Sequence, residues 1–176
     1  MLLLPILLPI AGSVFVFLQK EERLRGRLTL GVLLATAALA VCVCLLPARS
    51  MELLTIQGSA RLMLRVDGLS RFFLLLMSAV WVPVAVFSLP YLKHAGGERQ
   101  FLGFYTFTMG ILMGLAMAGN FITLYMFFEM MSLATLPLVL HNGTSGARRA
   151  GFQYLGYSVF GAGMALAGYF FSTTSF

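Results

Sequence analysis

A single acid stands in the middle of an apolar run: Glu129, in Asn120-Phe-Ile-Thr-Leu-Tyr-Met-Phe-Phe-Glu129-Met-Met-Ser132-Leu-Ala-Thr135. Placing an acid at the centre of a membrane span costs about 2.5–3.5 kcal/mol on insertion scales, so such residues face a bundle interior and mark ion or proton routes. A carboxyl group held there can take up and release protons. Tyr125 at i−4 and Ser132 at i+3 share its helical face, where both can hydrogen-bond to it or hold water beside it. The alternative is an acid paired with a base for packing alone. No other ionisable group is expected at mid-depth in the chain, so that base would come from a partner.

The other candidates lie nearer the ends of apolar runs. His141 follows Glu129 by twelve residues, about 18 Å along a helix, so only water could link the two. It is either a titrating group near neutral pH or an interfacial cation at a helix C-terminus. Arg148 and Arg149 read as inner-face anchors. Gln153, four residues beyond Arg149 on the same side of its helix, is a candidate to line a polar access path from the cytoplasm, with packing or capping as the alternative. Lys93 and His94 read as interface residues. Asp67, three residues before Ser70, has the placement of a helix N-cap; a direct part in ion transfer is the competing reading.

Cys42 and Cys44 lie in an apolar run with no His, Asp or Glu nearby, so they are read as small packing residues and not as metal ligands. No phosphate loop, dinucleotide fingerprint, zinc spacing or nucleophile motif is present. The chain is accordingly expected to hold no cofactor and no metal, and to perform neither redox nor hydrolytic chemistry by itself.

The elements that would position Glu129 follow from composition. Apolar types make up 60% of the 176 residues and charged types 10%. Mean hydropathy is +0.92. Soluble domains carry roughly 45–50% and about 25%. A chain this apolar suits lipid, where backbone polar groups must be satisfied within helices. The net charge of +6 does not point to nucleic acid, because the basic residues sit in short links between apolar runs, where they set membrane orientation.

Spans of about 20 apolar residues are expected at 1–18, 28–46, 69–89, 101–118, 121–140 and 150–171, giving a single all-α transmembrane bundle over 1–176. Within these spans the acids and bases are Arg71, near one end, and Glu129. The first run is followed by Lys20, Arg23, Arg25 and Arg27 and has no basic residue before it, which argues against a cleaved signal peptide.

With the N-terminus outside, the inner links hold Lys20, Arg23, Arg25, Arg27, Lys93, Arg99, Arg148 and Arg149. The outer ones hold Arg49, Arg61, Arg65 and Arg71. That excess obeys the positive-inside rule and puts both termini outside. The longest link, 47–68, alternates Arg61, Met63 and Arg65 with Leu62, Leu64 and Val66. With the break at Gln57-Gly58-Ser59 it predicts a small external β-hairpin between the second and third helices. Small residues recur at Gly110, Gly114 and Ala118, and again at Gly161 with Ala165 and Gly163 with Ala167. Such spacing lets helices approach closely.

Several stretches together resemble the large antiporter-like membrane subunits of respiratory complex I, of Mrp-type cation/proton antiporters and of energy-converting hydrogenases. They are Leu4-Pro-Ile-Leu-Leu-Pro9-Ile-Ala-Gly12, Arg65-Val-Asp67-Gly68-Leu-Ser70-Arg-Phe-Phe, Leu124-Tyr-Met-Phe-Phe-Glu129-Met-Met-Ser132-Leu, and Ala150-Gly-Phe-Gln153-Tyr154 through Gly168. The likeness covers the chain in order and is most specific in the fifth helix. It implies a non-redox membrane subunit of a proton- or sodium-translocating oxidoreductase or antiporter complex. That subunit would sit in the inner (cytoplasmic) membrane, with the acid at the position of Glu129 modulating a lysine on a seventh helix.

The sequence departs from the family at Phe128, where many relatives have Trp, and at Gln153, where many have Lys. It carries six of the family's helices and lacks the seventh with its lysine, so a fragment, a split-gene subunit and a remnant are all compatible with it. The expected partners are the lipid bilayer and other membrane subunits, one of them supplying the remaining helices or a buried Lys or His. Two competing readings are a structural or assembly subunit that does not itself conduct ions, and an unrelated small transporter.

Overall fold

A computed structural model describes residues 1–47, 50–55, 61–95, 97–140 and 143–174. It contains six helices: α1 (Leu4–Leu18), α2 (Glu22–Leu45), α3 (Gly68–Ala95), α4 (Glu98–Ala116), α5 (Phe121–Val139) and α6 (Ser145–Thr174). Two strands, β1 (Ser50–Thr55) and β2 (Arg61–Arg65), lie between α2 and α3. Four helices, α2, α3, α5 and α6, are long and apolar enough to cross a membrane. Of the other two, α1 has 15 residues. The 19 residues of α4 are diluted by Tyr105, Thr106, Thr108 and three glycines. The chain is a multi-pass membrane protein.

That dilution matches the place of α4. It packs against α1, α2, α3 and α5, and nearly all of it from Leu102 to Gly114 is buried. Its glycines permit this. A Cβ at Gly110 would come within 2.7 Å of the Ile6 carbonyl oxygen on α1, and one at Gly103 within 2.5 Å of the Phe17 ring. A methyl at Gly114 would overlap the Phe127 ring of α5. Lipid gives helices no hydrophobic reason to associate with one another, so close van der Waals approach and interhelical hydrogen bonds hold them together. One such polar staple joins α3 and α4. Tyr105 donates its hydroxyl to the Trp81 carbonyl at 2.8 Å, and Trp81 Nε1 donates to the Tyr105 carbonyl at 3.3 Å. Their rings stack with centroids 5.1 Å apart.

The small residues of α6 differ from those of α4. A Cβ at Gly161 or Gly163 would meet nothing within 4 Å, so these two glycines make no close approach to another helix of this chain.

The hairpin is antiparallel, pairing Ser50 with Arg65 and Thr55 with Arg61, with an irregularity between Glu52 and Leu54. The turn at 57–59 lies outside the described residues. Leu62, Leu64 and Val66 are buried while Arg61 and Arg65 are exposed, as a period of two requires. The hairpin is seated on the turn between α4 and α5: Arg65 N donates to Met117 O and Gly119 N to Met63 O, both at 2.7 Å. Met63 N donates to Thr123 Oγ1 at 2.9 Å. Asn120, in extended conformation, caps α5 by accepting from Thr123 N at 2.8 Å. Asp67 caps α3 by accepting from Ser70 N at 2.9 Å.

Candidate functional site

Glu129 lies in the middle of α5 and is half-buried. Its Oε1 is enclosed and has no hydrogen-bond partner. A buried oxygen left in that condition costs about 1–3 kcal/mol, more when charged, so a native structure keeps one where it has a use. Tyr125, one turn earlier, lies within electrostatic reach of the carboxyl.

Ser132 makes its hydrogen bonds to groups other than the carboxyl. Buried at the α5–α6 contact, its hydroxyl donates to the Phe128 carbonyl at 3.1 Å and lies 2.6 Å from Ser158 Oγ. Nearly one turn further, Thr135 Oγ1 is 3.1 Å from the Tyr154 hydroxyl. The antiparallel contact of α5 and α6 therefore contains two hydroxyl pairs, with Glu129 nearer the N-terminus of α5 than either. The sequence does not single out Ser158, Tyr154 or Thr135 as functional groups. Isolated hydroxyls in apolar runs are common, and only the α5–α6 register pairs them.

His141 lies outside the described residues, as do the side chains of Lys93 and His94. Arg148, Arg149 and Gln153 are exposed along the first turns of α6, and Gln153 makes no contact with Glu129. Arg71, expected as a charge near a span end, donates to the Leu46 carbonyl at 2.9 Å. It thereby caps the C-terminus of α2, where a cation is favoured.

The principal correction concerns Arg25. Sequence alone places it in an inner link, but α2 begins at Glu22 and carries Arg25 on its buried face, in line with Thr29, Leu33, Thr36 and Ala40. There it forms an ion pair with Glu98 at 3.4 Å, with side chains 6% and 8% exposed. Arg25 Nη1 also approaches the Gln19 carbonyl at 3.4 Å, while Arg25 Nε and Thr29 Oγ1 are buried without partners. Glu98 is thus an almost fully buried carboxylate, more deeply enclosed than Glu129. The spacing Arg25, Thr29, Leu33 and Thr36 was the available signal, because it is one helical face. Among the described residues there is no group of three or more His, Cys, Asp and Glu able to hold a metal ion.

No family model matches the chain. Over 181 aligned residues it is 28% identical to a Na(+)/H(+) antiporter subunit of Alkalihalophilus pseudofirmus, covering 99% of this chain and 37% of that protein. It is 33% identical over 104 residues to another, different Na(+)/H(+) antiporter subunit of the same organism, covering 52% and 13%. With the chloroplastic NAD(P)H-quinone oxidoreductase subunit 5 of Ipomoea purpurea it shares 26% identity over 115 residues, covering 63% and 16%. A chain in the structure of respiratory complex I from Thermus thermophilus has the same fold, with a TM-score of 0.75 at 23% identity, covering 92% of this chain and 33% of the other. The chain spans little more than a third of the length of these relatives, or less. It is a homologue, over part of their length, of the antiporter-like membrane subunits found in Mrp-type antiporters and in complex I.

Proposed function

We propose that this chain works as part of a proton-translocating antiporter-like subunit within a larger membrane complex, and that Glu129 is a group on which the proton resides. The observation that carries this reading is the enclosed, unpartnered Oε1 of Glu129 in the middle of α5. A carboxyl group with an unmet acceptor at mid-depth can bind a proton and release it when a neighbour changes. The similarity over nearly the whole chain to a Na(+)/H(+) antiporter subunit supports the same reading. A buried carboxyl is only one station on a path across about 30 Å of hydrocarbon. A partner helix bearing Lys or His completes the route on the side of Glu129 away from α4, and co-purification from native membranes identifies the subunit that carries it. The charge distribution supports both termini lying outside the inner membrane.

The test is Glu129→Gln in the native complex. It lowers proton translocation at least about tenfold while leaving the complex at normal abundance. Glu129→Asp is milder, since it keeps the carboxyl and shortens its reach. Normal pumping by the Gln variant at normal abundance would falsify the role. Replacing sodium with choline in the assay separates the two ions: flux that depends on Glu129 persists without sodium if the carried ion is the proton.

A further inference from the structure

Helices α5 and α6 keep one antiparallel register along their contact. Phe121 stacks on Tyr169 at 4.5 Å with an 11° angle between rings. Ser132 meets Ser158 at 2.6 Å, and Thr135 meets Tyr154 at 3.1 Å. At the far end Gly151 receives Leu140, whose Cδ2 would lie 2.6 Å from a Cβ on the glycine. This register sets Gly161 level with Glu129, and a methyl on Gly161 would meet nothing within 4 Å. Gly161 itself therefore leaves open space at that level. Between Glu129 and the end of α5 that leads to Gly151, the two hydroxyl pairs follow in succession, each about 4.5 Å of helical rise beyond the last.

We propose that the Ser132–Ser158 and Thr135–Tyr154 pairs form the inner leg of the proton route to Glu129. This rests on the reading of Glu129 as the proton-bearing group. A hydroxyl both donates and accepts, so it can take a proton on one lone pair and pass on the one it held. With Ser132 donating to the Phe128 carbonyl and Thr135 to the Met131 carbonyl, Ser158 and Tyr154 donate across the two pairs, and passage of a proton reverses a pair by releasing the α5 hydroxyl from its own helix. A rise of about 4.5 Å between successive levels is too long for a direct bond and suits one bridging water.

The step balances. A proton from inner water reaches the Tyr154–Thr135 pair. Each oxygen on the way gains one O–H bond and gives one up, and the last proton forms an O–H bond with the Glu129 carboxylate. No oxidant, reductant or net charge is left behind in the relay. Ser132, 1% exposed, lies 2.6 Å from Ser158 Oγ.

The experiment uses native membrane vesicles with the inner face outward, carrying chromosomal variants. It reads the Glu129-dependent proton flux, meaning the part lost in Glu129→Gln, in H2O and in D2O. Ser132→Ala and Ser158→Ala should each slow that flux about tenfold and increase its solvent isotope ratio. Ser158→Thr, which restores a hydroxyl, should recover most of the rate. Tyr154→Phe, on the more exposed side of the contact, tests the second pair without disturbing the buried one and should also slow the flux. Ala and Phe variants at normal abundance with unchanged rate and isotope ratio would overturn the relay while Glu129 kept its role. A slowed rate that Ser158→Thr fails to recover, with an unchanged isotope ratio, would also overturn it, since packing alone would then be responsible. If Glu129→Gln removes no flux, both the relay and the role of Glu129 fall.

Discussion

The Arg25 guanidinium lies 3.4 Å from the Glu98 carboxylate, and both side chains are almost wholly withdrawn from solvent. The pair joins the first turn of α2 to the first residue of α4. Glu98 is further favoured by the positive end of its own helix. One contact thus ties the start of α2 to the start of α4.

Breaking this pair on one side leaves a buried charge alone. Arg25→Met or Glu98→Leu should each destabilise the chain by about 3–5 kcal/mol, whereas the double variant should come close to the wild type. Chemical unfolding in detergent micelles measures the cycle. Single-variant losses that simply add in the double variant would show that the two side chains are not coupled.

The glycines of α4 and α6 should respond in opposite ways. Gly110→Ala forces a methyl against the Ile6 carbonyl oxygen, 2.7 Å away, and should cost about 1–3 kcal/mol through overpacking. Gly163→Ala meets nothing within 4 Å and should hold or raise Tm in the isolated chain, because Ala is the better helix former by about 1 kcal/mol. Equal losses at the two positions would contradict the assignment of α4 as the enclosed helix. A loss at Gly163 seen only in the assembled complex would locate a partner helix on α6.

Asp67 gives a pH signature. The Ser70 backbone N–H, then its hydroxyl, hold the carboxyl below its ordinary pKa. A depressed folded-state pKa contributes stability that is present above the unfolded value, about 3.9, and is lost as pH falls through the folded one. Asp67→Ala should therefore lower Tm at pH 7, and the gap from wild type should close as the pH is lowered through the depressed folded-state pKa. A gap independent of pH would mean that the cap does not act through the ionised carboxylate.

Topology is tested by single cysteines at two exposed positions, Arg23 on α2 and Glu52 on β1. With the inner excess of basic residues setting orientation, an impermeant maleimide applied to sealed cells should label Glu52→Cys and spare Arg23→Cys. The reverse pattern would invert the bundle and, with it, the direction assigned to the hydroxyl leg.

Much of the architecture is local physics and could be read along the chain. Runs of apolar residues must become helices in lipid because no other backbone conformation satisfies its own hydrogen bonds there. The alternation from Arg61 to Val66 could only be a strand with one face covered, and Asp67 could be recognised as a cap from its distance to Ser70. Glu129 was visible because an acid is conspicuous in an apolar run.

The pairings were not visible, because they depend on which faces of distant segments meet. Arg25 looked like one more inner-face cation until α4 brought Glu98 to it, and burial then changed what the charge means, since a desolvated ion must find a partner that a loop residue finds in water. The Ser132 and Thr135 hydroxyls of α5 bond back to carbonyls of their own helix, which is all that sequence alone would predict for them. The α5–α6 register, set by residues as far apart as Phe121 and Gly151, turned Ser132 and Thr135 toward Ser158 and Tyr154. Sequence alone determined that this chain enters the membrane and carries an acid there. Only the tertiary contacts decided which polar groups share that interior with Glu129, because hydrogen bonds act over about 3 Å and helical periodicity says nothing about a neighbour's phase.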